Sequence, residues 1–185
     1  SALCRKELDA LSAEGERLRQ REEARKTATE ACESGRKLFD DGIHLLYLKG
    51  ATFAEFRDHM KRAEGRFNDA LGQLREFPEA LVLRGRARVE MFEYVSAEAD
   101  FNEAIRLAPE LSVAFYYRGV MRFRRLRLEA GAAMLGRWFK DPKGAGDIQA
   151  AMTDLQKAAL KLNEPDKVEL AKGWSEMLMG EPRRV

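Results

Sequence analysis

The side chains best suited to acid–base or metal chemistry are the two histidines, His44 and His59. Glu55 stands four residues before His59, and this spacing places a carboxylate and an imidazole on one face of a helix. A metal centre needs more ligands than these two supply. His44 lies in the apolar segment GIHLLYLKG, which favours a packed histidine. The sequence therefore predicts no metal site and no catalytic residue.

Anion binding at a helix N-terminus is suggested by the segment KGAGD at 143–147, which has glycines and a lysine ahead of a predicted helix. The segment lacks the spacing and the preceding strand of a phosphate-binding loop, so we predict a turn. Cys4 and Cys32 lie 28 positions apart in charged helical segments, which favours free thiols in a reducing compartment. We expect no cofactor and no enzymatic activity.

Arginine is concentrated between residues 84 and 127, the densest basic region of the chain. Arg84 with Arg88, and Arg118 with Arg122, have the four-residue spacing of neighbours on a helix face. One interpretation is a basic ridge that receives a carboxylate, a phosphate or an acidic peptide. The other, which the sequence favours, is a solvated ridge balanced by acidic neighbours. These neighbours are Glu90, Glu93, Glu98 and Asp100.

Composition narrows the range of partners. The 185 residues carry 33 Lys and Arg against 31 Asp and Glu, and a net charge of +2 gives no general reason to expect nucleic acid or an anionic membrane surface. No apolar run reaches the ~18 residues of a membrane-spanning helix. No leader is visible, and a start at Ser suggests part of a longer protein. We expect a protein that binds neither nucleic acid nor membrane. A cytoplasmic location is favoured, and the location stays open if the chain is part of a longer secreted or membrane-anchored protein.

Self-comparison at an offset of 34 residues aligns small and large apolar residues of the chain. The forward matches pair Gly85 with Gly119 and Leu81 with Phe115. The backward matches pair Ala97 with Ala63, Phe101 with Phe67 and Ala104 with Ala70. Small residues let neighbouring helices approach closely, and large ones fill the space between them. Pro109 cannot continue a helix and marks the end of the unit.

Residues 78–109 combine these features and resemble the tetratricopeptide repeat (TPR), a helix-turn-helix unit of about 34 residues. The resemblance implies an all-α, TPR-like helix-turn-helix solenoid that binds another protein or a peptide and does no chemistry. It also implies packing roles between helices for ten residues. They are Leu81, Gly85, Ala97, Phe101, Ala104, Pro109, Gly119, Ala151, Leu155 and Ala158.

Three repeats are predicted, of which the outer two are lengthened. Residues 78–110 form the regular repeat, 26–77 an atypical first hairpin, and 111–164 a third repeat with an insertion of about 20 residues. Lengthened helices and inserted loops are both compatible with the extra residues at 40–52 and 126–146.

Several helix ends are predicted from local signals. Thr52 and Glu55 have the form of a capping box at a helix start, and Asp147 is a plausible cap for a helix that begins near it. Residues 1–25 are predicted to be an N-terminal helical extension or a linker. Residues 165–185 are predicted to be a C-terminal capping helix and tail.

The resemblance implies a concave groove lined by the first helix of each repeat. Nine residues are assigned to it: Val82, Arg86, Val89, Glu90, Val113, Tyr116, Val120, Phe123 and Arg124. This mainly apolar lining suits an amphipathic helix or an extended peptide. One subfamily grips the C-terminal carboxylate of heat-shock chaperones with inner lysines and asparagines, and the lining has neither. A partner, a second copy and the chain's own helices all stay open as the filling of the groove.

The leading hypothesis is a non-enzymatic scaffold for protein–protein interaction that binds a peptide or helix in this groove. The expected partner is another protein or peptide, with a homodimer as an alternative. A second hypothesis is a regulatory TPR segment of a multidomain signalling protein, such as a bacterial Ser/Thr kinase. A third is a metal-binding or enzymatic protein that uses the two histidines and nearby carboxylates.

Overall fold

A computed structural model describes residues 2–130 and 142–179, which form helices and turns without a strand. The helices are α1 (Ala2–Leu48), α2 (Phe53–Gln73), α3 (Pro78–Glu90), α4 (Tyr94–Leu107), α5 (Ser112–Ala130), α6 (Pro142–Lys161) and α7 (Pro165–Met179). The all-α class is therefore confirmed. The chain divides into two compact units, 1–80 and 81–185.

The first unit is built on the antiparallel pairing of α1 with α2. In α1 the buried positions recur every seven residues: Ala28, Gly35 and Gly42 form one series, and Cys32 and Phe39 another. In α2 the buried positions alternate in steps of four and three: Phe56, Met60, Ala63, Phe67 and Ala70. Both patterns keep one apolar stripe turned toward the facing helix, as in a coiled coil. The predicted boundary at residue 25 falls inside α1, which is continuous through it.

Most of the extra residues of the first hairpin are helical, because α1 continues to Leu48 and only residues 49–52 lie between it and α2. The capping box at that start is confirmed. The Glu55 amide donates to Thr52 Oγ1 over 3.3 Å, and the Thr52 amide donates to Glu55 Oε2 over 2.8 Å. Hydrogen bonds from Thr52 lower the pKa of the Glu55 carboxyl. Gly50, with a φ of +63°, lies in the connection between the two helices.

The second unit contains a short hairpin, α3–α4, and a long one, α5–α6, followed by α7. A glycine in the first helix of each hairpin touches a large side chain in the second. A Cβ built on Gly85 would lie 2.8 Å from the Phe101 ring, and one on Gly119 would lie 2.8 Å from Leu155 Cγ. In the first unit, Gly35 meets the Phe67 ring at 2.7 Å in the same way. The three hairpins therefore share one packing contact.

The long hairpin keeps the second-helix pattern of the short one. Buried residues of α4 recur in α6 at an offset of 54, which is the 34-residue repeat plus the insertion of about 20 residues. They are Ala97, Asp100, Phe101 and Ala104 in α4, and Ala151, Asp154, Leu155 and Ala158 in α6.

One predicted helix start is wrong. The turn expected at KGAGD is helical, because α6 begins at Pro142, so Asp147 lies inside the helix and does not cap it. Proline suits the first helical position, where its missing amide N–H leaves no hydrogen bond unmade. Part of the insertion at 126–146 is thus helix, and residues 131–141 lie outside the described residues. The predicted C-terminal helix corresponds to α7.

Gly119→Ala tests the close approach of α5 and α6. The added methyl would press on Leu155 and on its backbone nitrogen at 3.2 Å, so we expect a loss of about 1–3 kcal/mol in unfolding free energy. Gly65→Ala in α2 is the matched control, since nothing lies within 4 Å of its Cβ position. It should gain up to about 1 kcal/mol from helix propensity. Equal urea midpoints for the two variants would contradict the packing described for Gly119.

The connection between α3 and α4 holds a strained residue. Phe92 has a φ of +64°, the left-handed region that favours glycine. Its amide donates to the Val89 carbonyl over 3.0 Å, and the Glu93 amide donates to the Arg88 carbonyl over 2.9 Å. These two bonds form a Schellman motif at the C-terminus of α3. The Phe92 ring is mostly exposed and meets Tyr94 edge-on.

Phe92→Gly should therefore stabilise the chain. Removing the left-handed strain is expected to raise the unfolding free energy by about 0.5–1 kcal/mol, which thermal melting can detect. A lower melting temperature would mean that contacts of the ring outweigh the backbone strain.

Candidate protein-binding surface

The two arginine pairs of the basic region close on buried aspartates of their own hairpins. In the long hairpin, Arg118 donates from Nε and Nη2 to the two carboxylate oxygens of Asp154, over 2.7 and 2.6 Å. Arg122 Nη1 donates to Oδ2 of the same carboxylate over 2.8 Å. In the short hairpin, Arg84 and Arg88 bind Asp100 in the same pattern, over 2.6–3.0 Å.

These bonds explain why two carboxylates can be buried. Asp100 and Asp154 are 3% and 2% exposed, and each receives one two-pronged and one single charge-assisted bond. All four arginines bind the aspartate of their own hairpin. The basic ridge is therefore used for internal ion pairs and is not a preformed binding site for an acidic ligand. Sequence reasoning named Asp100 as a balancing neighbour and missed Asp154. The 54-residue offset that aligns the two aspartates was the available signal.

The same arginines also tie the long hairpin to α4. Arg118 Nη1 donates to Asn102 Oδ1 over 2.6 Å, and Arg122 donates from Nε and Nη2 to Glu98 Oε1 over 2.9 and 2.6 Å. A cavity of about 70 Å³ lies beside Arg122, and Arg125 and Asp147 also line it. Basic and acidic groups balance there, so the cavity shows no preference for a charged ligand.

Three of the predicted groove residues lie under α7. Tyr116, Val120 and Phe123 are buried, and the Trp174 ring stacks on Tyr116 at 6.2 Å and on Phe123 at 5.7 Å between centroids. Stacked rings at these distances add to the burial of apolar area. Of the alternatives left open by the sequence, the chain's own helix covers this part of the lining.

A polar, partly accessible surface adjoins this cluster. We call it the aromatic–cationic surface and define it by Arg86, Glu90, Tyr117, Arg124 and Lys167. The Arg86 guanidinium lies 4.4 Å from the Tyr117 ring centroid, and Lys167 Nζ lies 5.9 Å from it. Arg124 Nη1 donates to Glu90 over 2.6 Å, a pair whose members stand 34 residues apart and so occupy equivalent repeat positions.

Two tyrosines close to the charged residues of this surface have raised pKa values. Burial raises the pKa of the Tyr116 hydroxyl, Tyr117 adds to the rise, and Arg124 and Arg86 oppose it. Burial likewise raises the pKa of Tyr94, against the effect of Arg124. Both phenols are therefore neutral at physiological pH.

The other predicted residues lie as follows. Val82 and Val89 are buried, and Val113 is half-buried. His59 Nδ1 lies 3.0 Å from the Glu55 carbonyl oxygen, a bond within α2. In the described ranges, no three His, Cys, Asp or Glu side chains are grouped so as to hold a metal ion. Burial raises the pKa of the free Cys32 thiol, and the Cys4 side chain lies outside the described residues.

A solved structure decides the fold family. The first TPR domain of Spaghetti (RPAP3), bound to the HSP90 peptide SRMEEVD, matches with a TM-score of 0.56 and 17% identity over 84% of this chain and 95% of that chain. The chain has the TPR fold. The Sgt2 TPR domain from Aspergillus fumigatus matches with a TM-score of 0.48 and 18% identity, over 82% of this chain and 87% of that one. That score is too low to add to the argument.

Sequence comparison gives no further relatives for this TPR-fold chain: no family model matches it, and no curated protein does. In the part of the chain that the structure describes, no helix has the length and apolar character needed to cross a membrane.

Asp154→Asn tests the buried ion pairs. Asparagine keeps the shape but leaves Arg118 without its counter-charge and Arg122 with only Glu98, so we expect a loss of about 2–4 kcal/mol in urea unfolding. Asp58→Asn is the control, because Asp58 and Arg62 are both exposed and 3.8 Å apart. It should change stability by less than about 0.5 kcal/mol. Similar losses in both variants would rule out a special role for the buried carboxylate.

Proposed function

We propose that this chain is a non-enzymatic scaffold that binds a segment of another protein at the aromatic–cationic surface. The observation that carries the proposal is the half-buried Tyr117 ring with the cations of Arg86 and Lys167 placed over it, within a TPR fold. A flat ring between two cations offers an apolar contact and a site for carboxylates side by side.

Charge favours an acidic partner segment. Beside Arg86, Arg124 and Lys167, the side chain of Arg127 is exposed and lies 5.9 Å from the Phe123 ring. Glu90 binds Arg124 and Glu164 binds Lys167, and an acidic segment would offer these cations further carboxylates. Cations clustered beside aromatic rings attract a segment that combines Asp or Glu with an apolar residue.

The peptide in the RPAP3 structure is consistent with this class of ligand, since SRMEEVD contains three acidic residues. The same mode of recognition does not follow. Val82, Tyr116 and Val120 stand where lysine and asparagine were expected for gripping a chaperone's terminal carboxylate. We therefore propose an acidic protein segment, without assigning it to a chaperone.

The buried aromatic cluster shapes the choice of variants. Phe123→Asp with Tyr116→Ala would disturb the contact with Trp174 and hence folding, so loss of binding would be ambiguous. Arg124 and Lys167 are better targets, because the Arg124 side chain is 45% exposed and that of Lys167 is 26% exposed.

The free, buried Cys32 thiol supports the expected cytoplasmic setting.

The test is selection from a displayed peptide library on the full chain, followed by calorimetry with the selected peptide. Arg124→Ala with Lys167→Ala should raise the dissociation constant at least about tenfold, because two charge-assisted contacts are lost. Arg62→Ala, an exposed arginine of α2, is the control and should leave the constant unchanged. Unchanged affinity in the folded double variant would place the binding site elsewhere.

A further inference from the structure

The N-terminal half of α1 projects beyond its partner helix. The buried positions of α1 begin at Ala28, and between residues 10 and 27 every side chain is exposed or half-buried. At about 1.5 Å per residue, the roughly 25 residues before Ala28 extend for ~37 Å. Most of the stability of helices in proteins comes from the packing of an apolar face, so a packing partner would stabilise this half.

The apolar residues of this projecting half continue the spacing of the established α1–α2 seam. Leu11 and Leu18 are 67% and 58% exposed, and they stand seven residues apart. They lie 21 and 14 residues before Cys32, which itself precedes the buried Phe39 by seven. The same series passes through Arg25, so four of its five positions are apolar. A seven-residue apolar repeat is the pattern of helices that wrap around each other.

Charges in the projecting half are segregated along its length. Residues 7–16 contain four acidic residues and no basic one, whereas residues 17–26 contain five basic and two acidic residues. Two such helices side by side in parallel would place acidic on acidic and basic on basic. An antiparallel arrangement sets each acidic half against a basic half.

We propose that residues 7–27 of α1 form an antiparallel, two-stranded coiled coil with the same segment of a second copy of this chain. The charge pattern of residues 7–27 is complementary to itself in the antiparallel direction. A second copy of the chain therefore fits this segment better than another partner does. Leu11 and Leu18 supply the seam, and the segregated charges set the direction. This inference does not depend on the proposed peptide-binding function, since the two surfaces share no residue.

Sedimentation equilibrium of the full chain at low ionic strength, from about 5 to 500 µM, tests self-association. We expect a monomer–dimer equilibrium whose dissociation constant rises at least about 30-fold in Leu11→Lys with Leu18→Lys. Both leucines are exposed, so the fold is retained, which circular dichroism checks. Leu160→Lys is the matched control, because Leu160 is 85% exposed on α6 and should not affect the dimer. A monomer at all concentrations, or a dimer unaffected by the double substitution, overturns the proposal.

Direction is tested by spin labels in a background with Cys4→Ala and Cys32→Ala. Labels at Gln20→Cys and Thr27→Cys each report the distance between the two copies of one position. In an antiparallel pair, moving the label by seven residues shifts it by about 10 Å in each copy, in opposite directions. The distance between the two labels therefore grows by about 20 Å. The Thr27 distance should therefore exceed the Gln20 distance by this amount. Equal distances at the two positions would indicate a parallel pair and overturn the proposal.

Discussion

Helix pairing in this chain rests on a close contact between a glycine of one helix and a large side chain of the next, as between Gly119 and Leu155. Because the contact sets the lengthwise register, it also sets which polar neighbours meet. Arginines one residue before and three residues after the glycine reach Asp154, the residue before the leucine. The contact between the glycine and the large side chain also forms where these ion pairs are missing. In the first hairpin Gly35 makes it, but Arg66 stands in place of the aspartate.

This register divides the basic region into two sets with different tasks. Residues 84 and 88 lie on one face of α3 and turn to the aspartate of their own hairpin. Arg86 lies between them in sequence, on another face, and its guanidinium covers the Tyr117 ring. One helix thus contributes both to internal ion pairs and to the aromatic–cationic surface. The count of arginines alone does not separate these tasks, but their helical phase does.

Features governed by local chemistry could be predicted from the sequence. The Thr52 capping box and the helix after residue 165 depend on near neighbours in the chain, and both are found. The start of α6 was misjudged because glycines at 144 and 146 suggested a turn, whereas Pro142 begins a helix that includes them. The cover of Trp174 over Tyr116 joins residues far apart in sequence, and no local pattern indicates that pairing. The burial of Tyr116 therefore depends on its packing against α7.

Small residues make the helices of the long hairpin easy to misalign, and the buried ion pairs oppose such misalignment. Ala151 and Ala158, two turns apart on α6, present the same small side chain, so these two positions add little to the register that the Gly119–Leu155 contact sets. A slip of one turn would move Asp154 by about 5.4 Å. It would then lie out of reach of both guanidiniums, leaving the buried Asp154 carboxylate uncompensated. Buried pairs of this kind add little net stability over apolar packing, yet every wrong register costs several kcal/mol.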